Sequence, residues 1–151
     1  MSKQLRLKSL DEVKAELNKL EKAGSPKTEG GGWSAAQVLI HCAQSIEYSL
    51  TGYPSNKSAL FRGTVGRLVL RKFLKQGFMS HNLEAPVPNA PELPATATLA
   101  EGLTRLRKAI ADFQAAQGEP APHFAYGPVT RAQYDQIHAF HVANHLAEIP
   151  Y

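Results

Sequence analysis

Four times along this chain a serine or threonine stands three residues ahead of a glutamate or glutamine, at the head of a run with helical apolar spacing. The pairs are Ser9 with Glu12, Ser34 with Gln37, Thr98 with Glu101 and Thr130 with Gln133. An oxygen at the first position can accept from an orphan N–H of a new helix, while the residue three further on reaches back to the cap's own N–H. The pattern commits most of the chain to helices. Behind the first pair, Leu10, Val13, Leu17 and Leu20 recur at helical spacing to about Ala23, where Gly24 and Pro26 end the run. The second runs to about Leu50, and Val38, Leu39, Cys42, Ile46, Ser49 and Leu50 give it a face wide enough for a central place in a bundle. The third uses Leu99, Leu103, Leu106, Ile110 and Phe113 to about Gln117, before Gly118, Pro120 and Pro122. The fourth is expected to reach nearly to residue 151.

The stretches between these helices differ in character. Residues 24 to 32, ending in Gly30, Gly31 and Gly32, carry no apolar pattern and read as a flexible connection into Trp33, which anchors the second helix. From 58 to 76, Leu60, Phe61, Val65, Leu68, Val69, Phe73 and Leu74 alternate with basic residues, which predicts an amphipathic basic helix bent near Gly63 and Gly66. Residues 77 to 97 hold Pro86, Pro88, Pro91 and Pro94 and are expected to form a long loop that covers something. An aromatic loop, His123 to Pro128, precedes the last helix, with Tyr126 as a lid over the bundle end. No strand-period segment and no internal repeat is visible. A length of 151 residues fits one domain, 1–151, of the all-α class with four or five helices.

Hydrophobic residues make up 43% and charged residues 20%, which excludes a disordered or fibrous chain. The apolar runs are far short of the roughly 18 residues of a membrane span, and the first residues lack an apolar signal core, so the expectation is a cytoplasmic protein with no membrane partner. Cys42 is the single cysteine; it cannot close an internal disulfide and reads as a buried inert thiol. Net charge is +4, and between Glu47 and Glu84 no acid occurs, while Lys57, Arg62, Arg67, Arg71, Lys72 and Lys75 add six positive charges. That helix reads as a solvated face. Phe61 and Phe73 fall on its apolar side, away from the charges, so nucleic acid is not an expected partner.

The chemistry sits in the histidines. His138, His141 and His145 lie at offsets of three, four and seven residues, on one face of the last helix with Tyr134 and Ile137. Aliphatic residues normally fill such a stripe, so imidazoles there need hydrogen-bond partners or a metal to offset their desolvation. His141 and His145, at i and i+4, can converge on one ion at roughly 2.0 to 2.2 Å. His41, on the second helix, is the natural third donor, because antiparallel neighbours bring mid-helix positions into register. Three imidazoles would leave one position open for water or substrate. His138 faces the same seam as a packing or outer partner, and His81 and His123, in loops, are expected to be solvated, with His123 able to line a pocket mouth.

Gly32-Trp33-Ser34 through Val38 to His41-Cys42-Ala43-Gln44-Ser45-Ile46, then His123 to Thr130, then His141-Val142-Ala143-Asn144-His145-Leu146, resembles the DinB/YfiT-like superfamily, and within it a domain-of-unknown-function branch. The resemblance implies a four-helix bundle with an additional helix, holding a divalent ion such as Zn or Ni through His41, His141 and His145. It admits a metal-dependent thiol S-transferase or a hydrolase, acting on a small molecule that includes low-molecular-weight thiols. Asn144 stands where the family often has the first histidine of a doublet, and Glu148 where it commonly has glutamine. Three residues past His145, Glu148 is a candidate catalytic base, outer-sphere acceptor or fourth ligand. The reading from a different class is a non-catalytic helical module, a homodimer in one version, that sequesters a metal or small ligand.

Overall fold

The structure, a computed structural model, describes residues 4–24 and 32–151. Pro26, Gly30 and Gly31, read above as the end of one helix and the connection to the next, lie outside the described residues. The described residues are all-helical: α1 Leu10–Ala23, α2 Ala35–Thr51, α3 Ala59–Gly63, α4 Val65–Gln76, α5 Leu99–Ala115 and α6 Arg131–Leu146. No strand forms among them beyond one isolated antiparallel bridge between His123 and Gly127.

The four expected caps each accept from the N–H three residues on. Ser34, Thr98 and Thr130 form the full reciprocal box. At Ser9 only half of it forms, because the Glu12 carboxylate accepts instead from the Lys8 N–H at 2.7 Å. The basic segment is two helices rather than one bent one. Thr64 sits between them at φ −117°, ψ −90°, outside helical geometry, and the second helix begins without a side-chain cap.

The elements α1, α2, α5 and α6 pack around one core, α2 against α5 and α6, α1 against the same two, and α4 against α6. Leu10, Leu17, Leu20, Leu39, Leu106, Ile110, Tyr134 and Leu146 are fully enclosed in it. Each such apolar side chain contributes about 1.5–3 kcal/mol relative to exposure. α2 is buried on nearly every side, from Val38 through Gln44, which places His41 inside the molecule. Its pairing with α5 is backbone-close: a Cβ on Gly102 would stand 3.0 Å from the Ala36 carbonyl oxygen and 3.1 Å from Leu39 Cβ. A similar approach occurs at Gly66, where a Cβ would lie within 1.8 Å of the Ala125 carbonyl oxygen, so α4 rests directly on the aromatic loop. Arg67 reinforces that contact by donating to the Tyr126 and Pro128 carbonyls.

Residues 78–98 contain no helix and run along α2, held there by Gln37 Nε2 donating to the Leu93 carbonyl and Gln44 Nε2 to that of Pro91. No described helix is long and apolar enough to cross a membrane. Leu60, Val65 and Leu68, expected on the inner face of the basic segment, are instead exposed, and only Gly66, Leu70 and Phe73 of α4 are buried. The break at Thr64 sets the phase of α4 anew, so its inward stripe does not continue from α3.

Candidate metal centre

Mid-α2 and the last two turns of α6 meet in the core, and there the imidazoles of His41, His141 and His145 converge. His41 Nε2 lies 3.1 Å from His141 Nε2, and His145 Nε2 lies 3.2 Å from the same atom. The three donor atoms all fall within 4.8 Å of one another. Two nitrogens bound about 2.0–2.1 Å from one tetrahedral ion would stand about 3.3 Å apart, close to both separations. Hydrogen bonding serves the cluster only weakly. A neutral imidazole nitrogen carries either a proton or a lone pair, so His141 Nε2 can serve both neighbours only by dividing that one proton or lone pair between them. A shared cation satisfies three lone pairs at once.

The surroundings keep these rings neutral. His41 and His145 are 3% and 2% exposed, which desolvates any charge placed on them. Burial holds His41 down to about 4, with the nearby His81 adding to the shift. Burial, with repulsion from neighbouring imidazoles, puts His141 and His145 well below the ordinary histidine value. Neutral imidazole is the metal-binding form. The Trp33 ring packs against His41 at 5.0 Å and His145 at 6.4 Å between centroids, so Trp33 orients two donors as well as anchoring α2.

A cavity of about 340 Å³ opens beside His41 and His141. Its wall combines Tyr53, Val87, Phe124, Tyr126 and Ile137 with one charged side chain, Lys57, and no carboxylate. Glu148 is elsewhere: it is exposed beyond the end of α6 and lines a separate hollow with Arg6 and Phe78. The structure does not bring it to the three histidines.

A family model described as "Protein of unknown function (DUF1569)" matches residues 1–150. The chain belongs to the DUF1569 family. No curated protein and no solved structure matches it. The family match thus carries the domain-of-unknown-function part of the resemblance and does not extend to the DinB/YfiT-like superfamily.

The remaining histidines of this DUF1569 chain divide by their partners. Ser49 donates its hydroxyl proton to the Ile46 carbonyl at 2.5 Å, so its oxygen accepts from His138 Nε2, 3.0 Å away. With its ring stacked on Tyr134 and edge-on to Phe113, His138 is a satisfied core residue. The expectation that His123 and His81 are solvated is corrected. His123 stacks on Tyr126 at 4.1 Å, and its Nδ1 accepts from the N–H groups of Ala125 and Tyr126, which leaves the proton on Nε2. His81 turns inward, with ring centroids 5.0 Å from His141 and 5.1 Å from His145. Neither loop histidine carries a periodicity signal, so only the course of the loops in space reveals them. Cys42 is buried, and its thiol is pushed far above the ordinary cysteine range by desolvation.

Proposed function

We propose that this DUF1569 chain is a divalent-metal-dependent enzyme with a DinB-like bundle, in which His41, His141 and His145 hold the ion beside a substrate cavity. The observation that supports this most is the pair of Nε2 separations, 3.1 and 3.2 Å, at a point where neutral imidazoles make both contacts only by sharing one proton or one lone pair of His141 Nε2. Such an ion, Zn or Ni by its all-imidazole donor set, would supply Lewis acidity that lowers the pKa of a water or a low-molecular-weight thiol toward neutrality. The chain's own groups do the rest. Tyr53, Phe124, Tyr126 and Val87 enclose a substrate body away from bulk water, which strengthens every charge interaction within. Lys57, the one charged group in the wall, attracts an anionic end. Thiol S-transfer and hydrolysis both use this arrangement.

Protein purified without chelator, histidine tag or added metal is expected to contain about one divalent ion per chain by elemental analysis. His41→Ala and His145→Ala are expected to lose it. Absence of the ion from the wild type, or unchanged occupancy in both variants, overturns the proposal. The second reading, a non-catalytic module that sequesters the ion, is favoured by the loop at 78–98 that lies over α2 and brings a further imidazole toward the centre. Metal-dependent turnover in a screen of small thiols and esters separates the two.

A further inference from the structure

The loop after α4 brings His81 against the metal centre, and three observations give it a role there. Its ring lies 5.0 and 5.1 Å from those of His141 and His145, while the three core rings lie 4.8, 4.9 and 5.0 Å from one another. His81 Nε2 is buried with no hydrogen-bond partner. Its other nitrogen, Nδ1, is 2.9 Å from Nδ2 of the side-chain amide of Asn144, the residue just before His145.

An Asn amide carries a donor on one arm and an acceptor on the other, and the two arms exchange by a half-turn. With the amide nitrogen toward Nδ1, the ring proton must sit on Nε2, a buried donor facing no acceptor, which costs about 1–3 kcal/mol. With the amide oxygen there, Nδ1–H donates to Asn144 and the Nε2 lone pair faces inward. A metal-ligating histidine almost always has its second nitrogen donating to an oxygen in this way.

We infer that His81 is a fourth imidazole ligand, delivered by the 78–98 loop and oriented by Asn144. The inference rests on the metal-centre reading above. The compact donor set comprises only the three helical histidines, so ligation requires the loop to move inward. The same loop contributes Val87 and its flanking prolines to the cavity wall. His81 is therefore the one ligand that can leave as the cavity fills without disturbing a helix.

The test uses the full chain, with zinc affinity measured by competition against a chromophoric chelator and visible spectra of the cobalt-loaded forms. Cobalt in the wild type is expected to show the intense bands of a four-coordinate ion. His81→Ala is expected to weaken them and to lower zinc affinity at least about tenfold, the lower end of the cost of disturbing a metal site. If His145→Ala loses the ion while His81→Ala keeps wild-type affinity and spectrum, the fourth ligand is overturned and the metal centre stands. If the wild type binds no ion, both fall. A count that needs no variant is the number of histidine rings in which one nitrogen takes the metal-bound 15N shift in long-range 1H–15N spectra on zinc loading: four support His81, three overturn it.

Discussion

His138 and His123 are both held at about 3 by burial, so the folded protein keeps them neutral where an unfolded chain would take up protons. The sign follows from linkage: stability is fullest above the ordinary histidine value of about 6.5 and declines as pH falls toward 3. Between about pH 6.5 and 5, where carboxylates stay ionised, each such residue adds a slope approaching ~1.4 kcal/mol per pH unit. Urea unfolding of the metal-free protein over that interval is expected to show this loss, and His138→Gln to flatten it; a midpoint independent of pH counts against it. At this scale the spacing of His141 and His145 made two members of the imidazole cluster legible, and the buried face of α2 supplied the third. His81 escaped because a loop residue's direction depends on tertiary contacts such as the Asn144 bond, to which no periodicity points. Glu148 misled for a related reason. Its helical offset from His145 assumes a helix that α6 does not continue, since it ends at Leu146.

Among the elements, the caps were the most readable feature, because a cap is a local bargain between a side chain and the backbone three residues on. Thr130→Ala removes the oxygen that accepts from the Gln133 N–H at 3.1 Å and is expected to cost about 1 kcal/mol in chemical denaturation. The basic segment was less readable. Its composition announced an amphipathic helix, yet Thr64 divides it and leaves Leu60 and Leu68 at 76% and 64% exposure. What fixes α4 is its contact with the aromatic loop. A methyl on Gly66 would collide with the Ala125 carbonyl oxygen, so Gly66→Ala is expected to destabilise by about 1–3 kcal/mol, the range for overpacking. Metal occupancy should survive that change, since none of the three core histidines lies on α4; loss of the ion in this variant would show that α4 supports the centre.

For the molecule as a whole, the all-helical class was legible, because four caps and four apolar stripes agree with one another. The site's depth was legible too, since the histidine stripe of α6 and the wide apolar face of α2 both read as core. A ligand that binds only the folded state stabilises it by about 2.7 kcal/mol at 100 times its dissociation constant. For a chain of this size that corresponds to a rise in Tm of about 5–11 °C. Zinc added to metal-free protein is expected to produce such a rise in thermal melts, a chelator to reverse it, and His145→Ala to show none. Equal shifts in both proteins would place the bound zinc elsewhere.

His41 and His141 are separated by 100 residues of chain. No fragment that stops short of α6 holds both, so on the metal-centre reading most of the polypeptide must be made before the three rings can meet around an ion. Ion capture would then fall late in biogenesis, and an ion held by all three rings would mark a chain that carries both α2 and α6.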